Sequence, residues 1–121
     1  MIAPIFMAAV LASTPEQAVR DDAATLGRDM AMGLICESIN AADLDVDALL
    51  DVADEVLNRA EQLQIAEDEI DQIAENAIEA TTKEITDNYP EPTAELEAIL
   101  TETCHGLIQT KPTLFKTYVA S

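Results

Sequence analysis

Aromatic, glycine and histidine residues are scarce in this chain of 121 residues, and each scarcity excludes a class of protein. Aromatic residues make up only 3% of the chain and tryptophan is absent, so the core must be aliphatic, which favours helices over sheets. Three glycines and one histidine leave no glycine-rich phosphate-binding loop and none of the common catalytic motifs. We therefore predict a protein that is not an enzyme and that carries no cofactor.

Basic residues and long apolar runs are scarce as well. Six Lys and Arg residues stand against 24 Asp and Glu residues, which gives a formal net charge of −18. A surface this negative repels nucleic acids and anionic lipids, so the expected partner is a protein with a basic surface. The alternative is that the charge serves only solubility. Apart from the first fifteen residues, no uncharged run approaches the ~20 residues of a bilayer-spanning helix, so we expect no membrane span in the mature chain.

The first twelve residues form an apolar, uncharged segment that ends in Val10-Leu11-Ala12. This pattern is typical of a secretory signal peptide, although no Lys or Arg precedes the apolar run. We predict a cleaved signal peptide over residues 1–12 and a single helical domain over 13–121, located in the periplasm or secreted. If the segment is retained, it forms a buried helix or a peripheral anchor instead.

Apolar periodicity and capping residues predict four helices. The first begins at Thr14 and Pro15, with Gln17 completing a capping box, and ends near Asn40. Its apolar stripe consists of Val19, Ala23, Leu26, Met30 and Leu34. The second helix is capped by Asp45 or Asp47 and ends at a break over residues 64–66. Its stripe consists of Leu49, Leu50, Ala53, Val56, Leu57, Ala60 and Leu63.

The second half of the chain continues the helical pattern. The third helix should stop at Asn88-Tyr89, because Pro90 cannot continue it. Its stripe consists of Ile70, Ile73, Ala74, Ala77, Ile78, Thr81 and Ile85. Thr93 caps the fourth helix, with the stripe Leu96, Ile99, Leu100, Thr103, Cys104 and Leu107. The sequence contains no typical hairpin turn. We therefore predict an all-α fold, which is a small antiparallel bundle of four main helices with a short helix or extended tail over 113–119.

Cys36 and Cys104 are the two cysteines, and both fall on predicted apolar faces. In an exported chain, two cysteines most simply form one disulfide. A disulfide between these cysteines, which lie 68 residues apart, would stabilise the folded protein by about 4 kcal/mol in the entropy model, because it restricts the unfolded chain. The alternative is two buried free thiols in a cytoplasmic protein.

Two acidic segments are candidate binding sites. Asp43, Asp45, Asp47, Asp51 and Asp54 occupy positions 1, 3, 5, 9 and 12 of a possible calcium loop. Ala48 replaces the expected glycine at position 6, so the alternative is an acid-rich helix start that complements the helix dipole. The predicted interaction surface lies on the third helix and consists of Glu67, Asp68, Asp71, Glu75 and Glu79.

A small exported helical chain with two cysteines resembles, in its overall plan, periplasmic acid-stress chaperones and small immunity proteins that act against secreted toxins. The resemblance covers architecture alone, so no site residue follows from it. The function that we predict is binding to another protein, as an inhibitor, immunity factor or chaperone. Two alternatives remain open: a calcium-responsive binding module, and a cytoplasmic acidic protein that mimics DNA.

Overall fold

The computed structural model describes residues 14–119, and its elements are mostly helical (75%). The elements are, in chain order, α1 (Pro15–Ser38), β1 (Asp43–Leu44), α2 (Val46–Gln62), α3 (Glu67–Asn88), α4 (Ala94–Thr110) and β2 (Phe115–Lys116). The prediction of a mostly helical chain with four helices is therefore confirmed. The predicted signal peptide lies outside the described residues. No helix within the described range is both long and apolar enough to cross a membrane.

The first helix begins where its sequence supplies a cap. Thr14 Oγ1 accepts a hydrogen bond from the backbone N–H of Gln17 at 3.1 Å, and Pro15 occupies the first helical position. The Gln17 side chain donates a hydrogen bond to Asp21 Oδ1 at 2.8 Å. The predicted start of α1 at Thr14 and Pro15 is therefore confirmed.

Side-chain caps also begin α2 and α4. Asp45, rather than Asp47, caps α2, and its Oδ1 accepts from the backbone N–H of Ala48 at 3.0 Å. Thr93 Oγ1 accepts from the backbone N–H of Leu96 at 3.1 Å. These bonds satisfy N–H groups that have no partner within their own helix.

Left-handed residues end the first two helices without glycine. Asn40 has a φ of 60° just beyond α1, and the backbone N–H of Ala41 then bonds back to the Cys36 carbonyl at 2.9 Å. Gln64 has the same φ just beyond α2 and ends that helix in the same way. This Schellman arrangement satisfies carbonyls at the helix end and turns the chain. The helix ends predicted near Asn40 and at residues 64–66 are confirmed.

A very short sheet joins the connection after α1 to the segment after α4. Asp43 pairs with Lys116 and Leu44 pairs with Phe115, in antiparallel register. The prediction of an all-α fold is wrong on this point. Strands of two residues are too short to produce a period-two pattern, so local sequence carries no sign of them.

Helix α1 is central, because it contacts α2, α3, α4 and β1, and its contact with α3 is the most extensive. One core cluster contains Leu26, Met32, Cys36, Ala41, Ala42, Leu44, Leu49, Cys104, Leu114 and Phe115. A second contains Val19, Ala23, Val56, Ala60, Ile65 and Ile70. Phe115 is completely buried, so a core expected to be aliphatic has an aromatic residue within its first cluster.

Leu34 and Leu50 belong to the predicted apolar stripes but face solvent. Leu34 is 61% exposed because, on a helix, it points away from Met32 and Cys36, which face the first core cluster. Leu50 is 56% exposed, whereas its neighbour Leu49 is buried. The stripe predicted for α2 included more residues than the structure buries, because α2 packs mainly against α1.

Candidate functional site

The five predicted interaction residues all lie exposed on α3. Asp68, Asp71, Glu75 and Glu79 follow one another at intervals of three and four residues, so they form one row on the helix surface. This row is about 16 Å long at 1.5 Å per residue. Together with Glu67 at the start of the helix it is called here the acidic face of α3. Ile70, which packs in the second core cluster, lies on the side opposite Asp68 and Glu79.

The bases of the chain do not neutralise the acidic face of α3. Four of the six bases form ion pairs within residues 14–119, and each uses a carboxylate outside this face. These pairs are Arg20 with Glu69, Arg59 with Asp22 and Glu55, Lys83 with Asp87, and Lys111 with Asp29. Successive like charges on the acidic face therefore repel one another in the free protein.

Cys36 and Cys104 form the predicted disulfide, with a Cα–Cα distance of 5.8 Å. Both residues have 0% exposure, in the first core cluster. The bond ties the end of α1 to the middle of α4. The exposed His105 follows Cys104 in sequence, yet the sulfur beside it is already oxidised.

The aspartates of the possible calcium loop belong to three different settings. Asp43 lies in β1 and its Oδ2 accepts from the backbone N–H of Val119 at 3.0 Å, and Asp45 caps α2. Asp47, Asp51 and Asp54 lie within α2, which already begins at Val46. Because a helix replaces the loop from that point, the chain does not wrap oxygen ligands around one centre. Within residues 14–119 no group of three or more acidic, histidine or cysteine side chains is placed to hold a metal ion.

A groove between α1, α3 and α4 was missed by sequence reasoning. It has a volume of about 380 Å³ and is called here the α4 groove. Its apolar lining consists of Met32, Ile85, Leu96, Ile99, Leu100 and Leu107. The stripe predicted for the fourth helix is thus real, but most of it borders this groove rather than a closed core. Cys104 is the one residue of α4 that is fully buried.

An ion pair between the buried Asp29 and the half-buried Lys111 forms part of the groove wall. Asp29 is 5% exposed, and Lys111 Nζ lies 2.8 and 2.9 Å from its two carboxylate oxygens. The signal that could have identified Asp29 is its spacing, three residues after Leu26 and seven before Cys36, which places it on the buried side of α1. Nothing local in the sequence points to Lys111 as its partner.

The described residues offer two candidate binding surfaces of different chemistry. The acidic face of α3 presents unpaired carboxylates, and the α4 groove presents open apolar surface beside a neutralised ion pair. Charge on one surface and hydrophobicity on the other are both properties by which proteins recognise partners. Comparison with protein-family models, with curated proteins and with solved structures finds no match to this chain.

Proposed function

We propose that this chain is a small exported helical protein that binds another protein with a basic surface, as an inhibitor, immunity factor or chaperone. The observation that supports the proposal is the acidic face of α3, with five exposed carboxylates that form no ion pair within residues 14–119. Like charges one helical turn apart cost a few tenths of a kcal/mol each. A cationic partner would remove this repulsion, so the free energy of binding includes its relief.

The proposal includes export of the chain to an oxidising compartment. Disulfides persist in oxidising compartments and are rare in the cytosol, so the Cys36–Cys104 bond supports export. The alternative of a cytoplasmic DNA mimic requires reduced cysteines and is disfavoured by that bond. We propose cleavage after Ala12 and an antiparallel packing order for the four helices.

Intact mass tests the export proposal directly. Mass spectrometry of the native protein, with and without reductant, should show a chain that begins near Ser13 and that gains two hydrogens on reduction. A chain that still begins with Met1, and whose mass is unchanged by reductant, would contradict export and favour the cytoplasmic alternative.

Charge reversal tests the binding surface. The variant Glu75→Lys with Glu79→Lys should weaken capture of the partner from a periplasmic extract by about tenfold or more, since rim charges govern encounter and specificity. The matched control is Asp51→Lys with Asp54→Lys, which reverses the same number of exposed charges on α2. Equal capture by the two variants would show that net charge, and not the acidic face of α3, holds the partner.

A further inference from the structure

We propose that the α4 groove is a second binding site, which takes an amphipathic helical segment of a partner protein. The apolar side of that segment would lie in the groove, and its outward side would carry lysine or arginine. The site is separate from the acidic face of α3. Thr81, in the groove lining, follows Glu79 by two residues, which places it on the opposite side of the helix.

The helix that gives the groove its name is incompletely covered by its own chain. Leu96, Ile99, Leu100, Thr103 and Leu107 all line the groove. Their spacing of 3, 1, 3 and 4 residues places them along one side of α4. The row is about 16 Å long, or three helical turns. Ile99 is 38% exposed, so apolar surface remains open along this row.

The other walls make the groove suited to a rod-shaped occupant. Met32 contributes from α1 and Ile85 from α3, so apolar side chains face α4 across the groove. The disulfide at Cys104 holds the middle of α4 in place, which keeps the groove formed without an occupant. Asp29 and Lys111 neutralise each other, so a ligand needs no charged group where it contacts this part of the wall. A helix that binds in an apolar groove presents its own apolar anchors at positions i, i+3, i+4 and i+7.

The charged residues around the groove indicate which residue types the bound helix would carry on its outward side. Glu95 and Glu102 lie four residues before and three residues after Ile99, so they flank it on the open side of α4. Glu84 lines the groove from α3, and Arg28 is the lining cation besides the paired Lys111. These carboxylates, on a chain of net charge −18, complement a cationic helix and repel an anionic amphiphile.

A defined peptide tests the site. The probe is a fluorescein-labelled helical peptide of leucine and lysine, with leucines along one side, used below the concentration at which it self-associates. Its twin carries glutamate in place of lysine. Fluorescence anisotropy with the full, oxidised chain should show that Ile99→Asp weakens binding of the lysine peptide by about tenfold or more. The glutamate peptide should not bind.

The matched control is Leu50→Asp. It places the same new charge at an apolar residue of α2 that is 56% exposed and lies outside the groove lining. Electrostatic attraction alone would make both variants bind the lysine peptide equally or more tightly, and that result would overturn the proposal. Thr103→Asp, at an exposed lining residue, repeats the test if Ile99→Asp does not fold.

Two further outcomes are informative. If the glutamate peptide or the anionic dye anilinonaphthalene sulfonate binds and the lysine peptide does not, the groove takes a different apolar ligand and the cationic-helix proposal is wrong. The variant Glu75→Lys with Glu79→Lys should retain at least half of the Ile99-dependent binding, because the acidic face of α3 points elsewhere. Failure of this groove site would therefore leave the function proposed for the acidic face untouched, and the reverse also holds.

Discussion

At the scale of single residues, Asp29 is the only charged residue that is buried within residues 14–119. A carboxylate removed from water is tolerated only when a partner compensates its lost hydration. Lys111 supplies that partner from a position 82 residues later in the chain. The ion pair therefore links α1 to the end of α4, two helices that the disulfide also joins.

Removal of Lys111 should be far more costly than removal of an ordinary surface lysine. Lys111→Met leaves the Asp29 carboxylate buried and unpaired, and we expect the free energy of unfolding to fall by about 2 kcal/mol. The control is Lys83→Met, which breaks the exposed Lys83–Asp87 pair and should cost no more than a few tenths of a kcal/mol. Urea denaturation measures both. Similar losses in the two variants would show that the buried pair contributes little.

Two glycines provide a second residue-scale prediction with opposite signs. A Cβ on Gly27 would overlap the backbone carbonyl oxygen of Ala74. The absence of a side chain at Gly27 therefore lets α1 and α3 approach each other closely. Gly106 in α4 has open space around the same position. Gly27→Ala should therefore destabilise the protein by roughly 1–3 kcal/mol through overpacking, whereas Gly106→Ala should stabilise it by about 0.5–1 kcal/mol through helix propensity.

Thermal unfolding of the two alanine variants decides this prediction. Both variants gain the same methyl group and the same intrinsic helix propensity, so only the surroundings differ. If Gly27→Ala also raised the melting temperature, the close approach of α1 to Ala74 would not be a packing constraint. If Gly106→Ala lowered it, α4 would have packing on a side where the structure shows none.

At the scale of elements, the starts of α1, α2 and α4 were predictable, and the buried sides of the helices were only partly so. Thr14, Asp45 and Thr93 cap their helices as local chemistry requires, and Asn40 and Gln64 stop two of them. Capping depends on residues within one turn, which the sequence displays directly. Burial depends on which other element covers a helix. The sequence therefore did not distinguish the closed core around Cys104 from the open groove beside it.

The attachment of α4 gives the element-scale prediction. Because Cys104 is its one fully buried residue, we expect α4 to depend on the disulfide more than the other helices do. In the variant Cys36→Ala with Cys104→Ala, stability should fall by about 4 kcal/mol in the entropy model. Amide protons of Ala94–Thr110 should lose protection from hydrogen exchange before those of α1. The oxidised parent chain is the control, and uniform loss of protection in all helices would contradict the prediction.

At the scale of the whole molecule, the charge is distributed very unevenly. Every acidic residue lies between Glu16 and Glu102, and the last stretch, 103–121, carries only the bases Lys111 and Lys116. Those two residues return to the body of the protein, Lys111 in the buried ion pair and Lys116 in the strand pair with Asp43. The folded chain still concentrates a large negative charge, which weakens the compact state by self-repulsion.

Salt should therefore stabilise this protein. The Debye length falls from about 30 Å at 0.01 M salt to about 4 Å at 0.5 M, which screens most repulsion between exposed carboxylates. We expect the melting temperature to rise by several degrees over this range of sodium chloride. The variant Asp71→Asn with Glu75→Gln and Glu79→Gln should show a smaller rise, because part of the repulsion has been removed. A melting temperature that is flat or falling with salt would rule out self-repulsion as a major term.

The sequence by itself determined the helical class, most helix boundaries, the disulfide pairing and the sign of the surface charge. These properties depend on local capping, on composition, or on a choice with only two cysteines. Tertiary structure alone decided that Leu34 and Leu50 face solvent, that Phe115 is buried, and that Asp29 meets Lys111. It also decided that α4 borders an open groove. The physical reason is that burial and ion pairing depend on elements distant in the chain, whose arrangement no local pattern records.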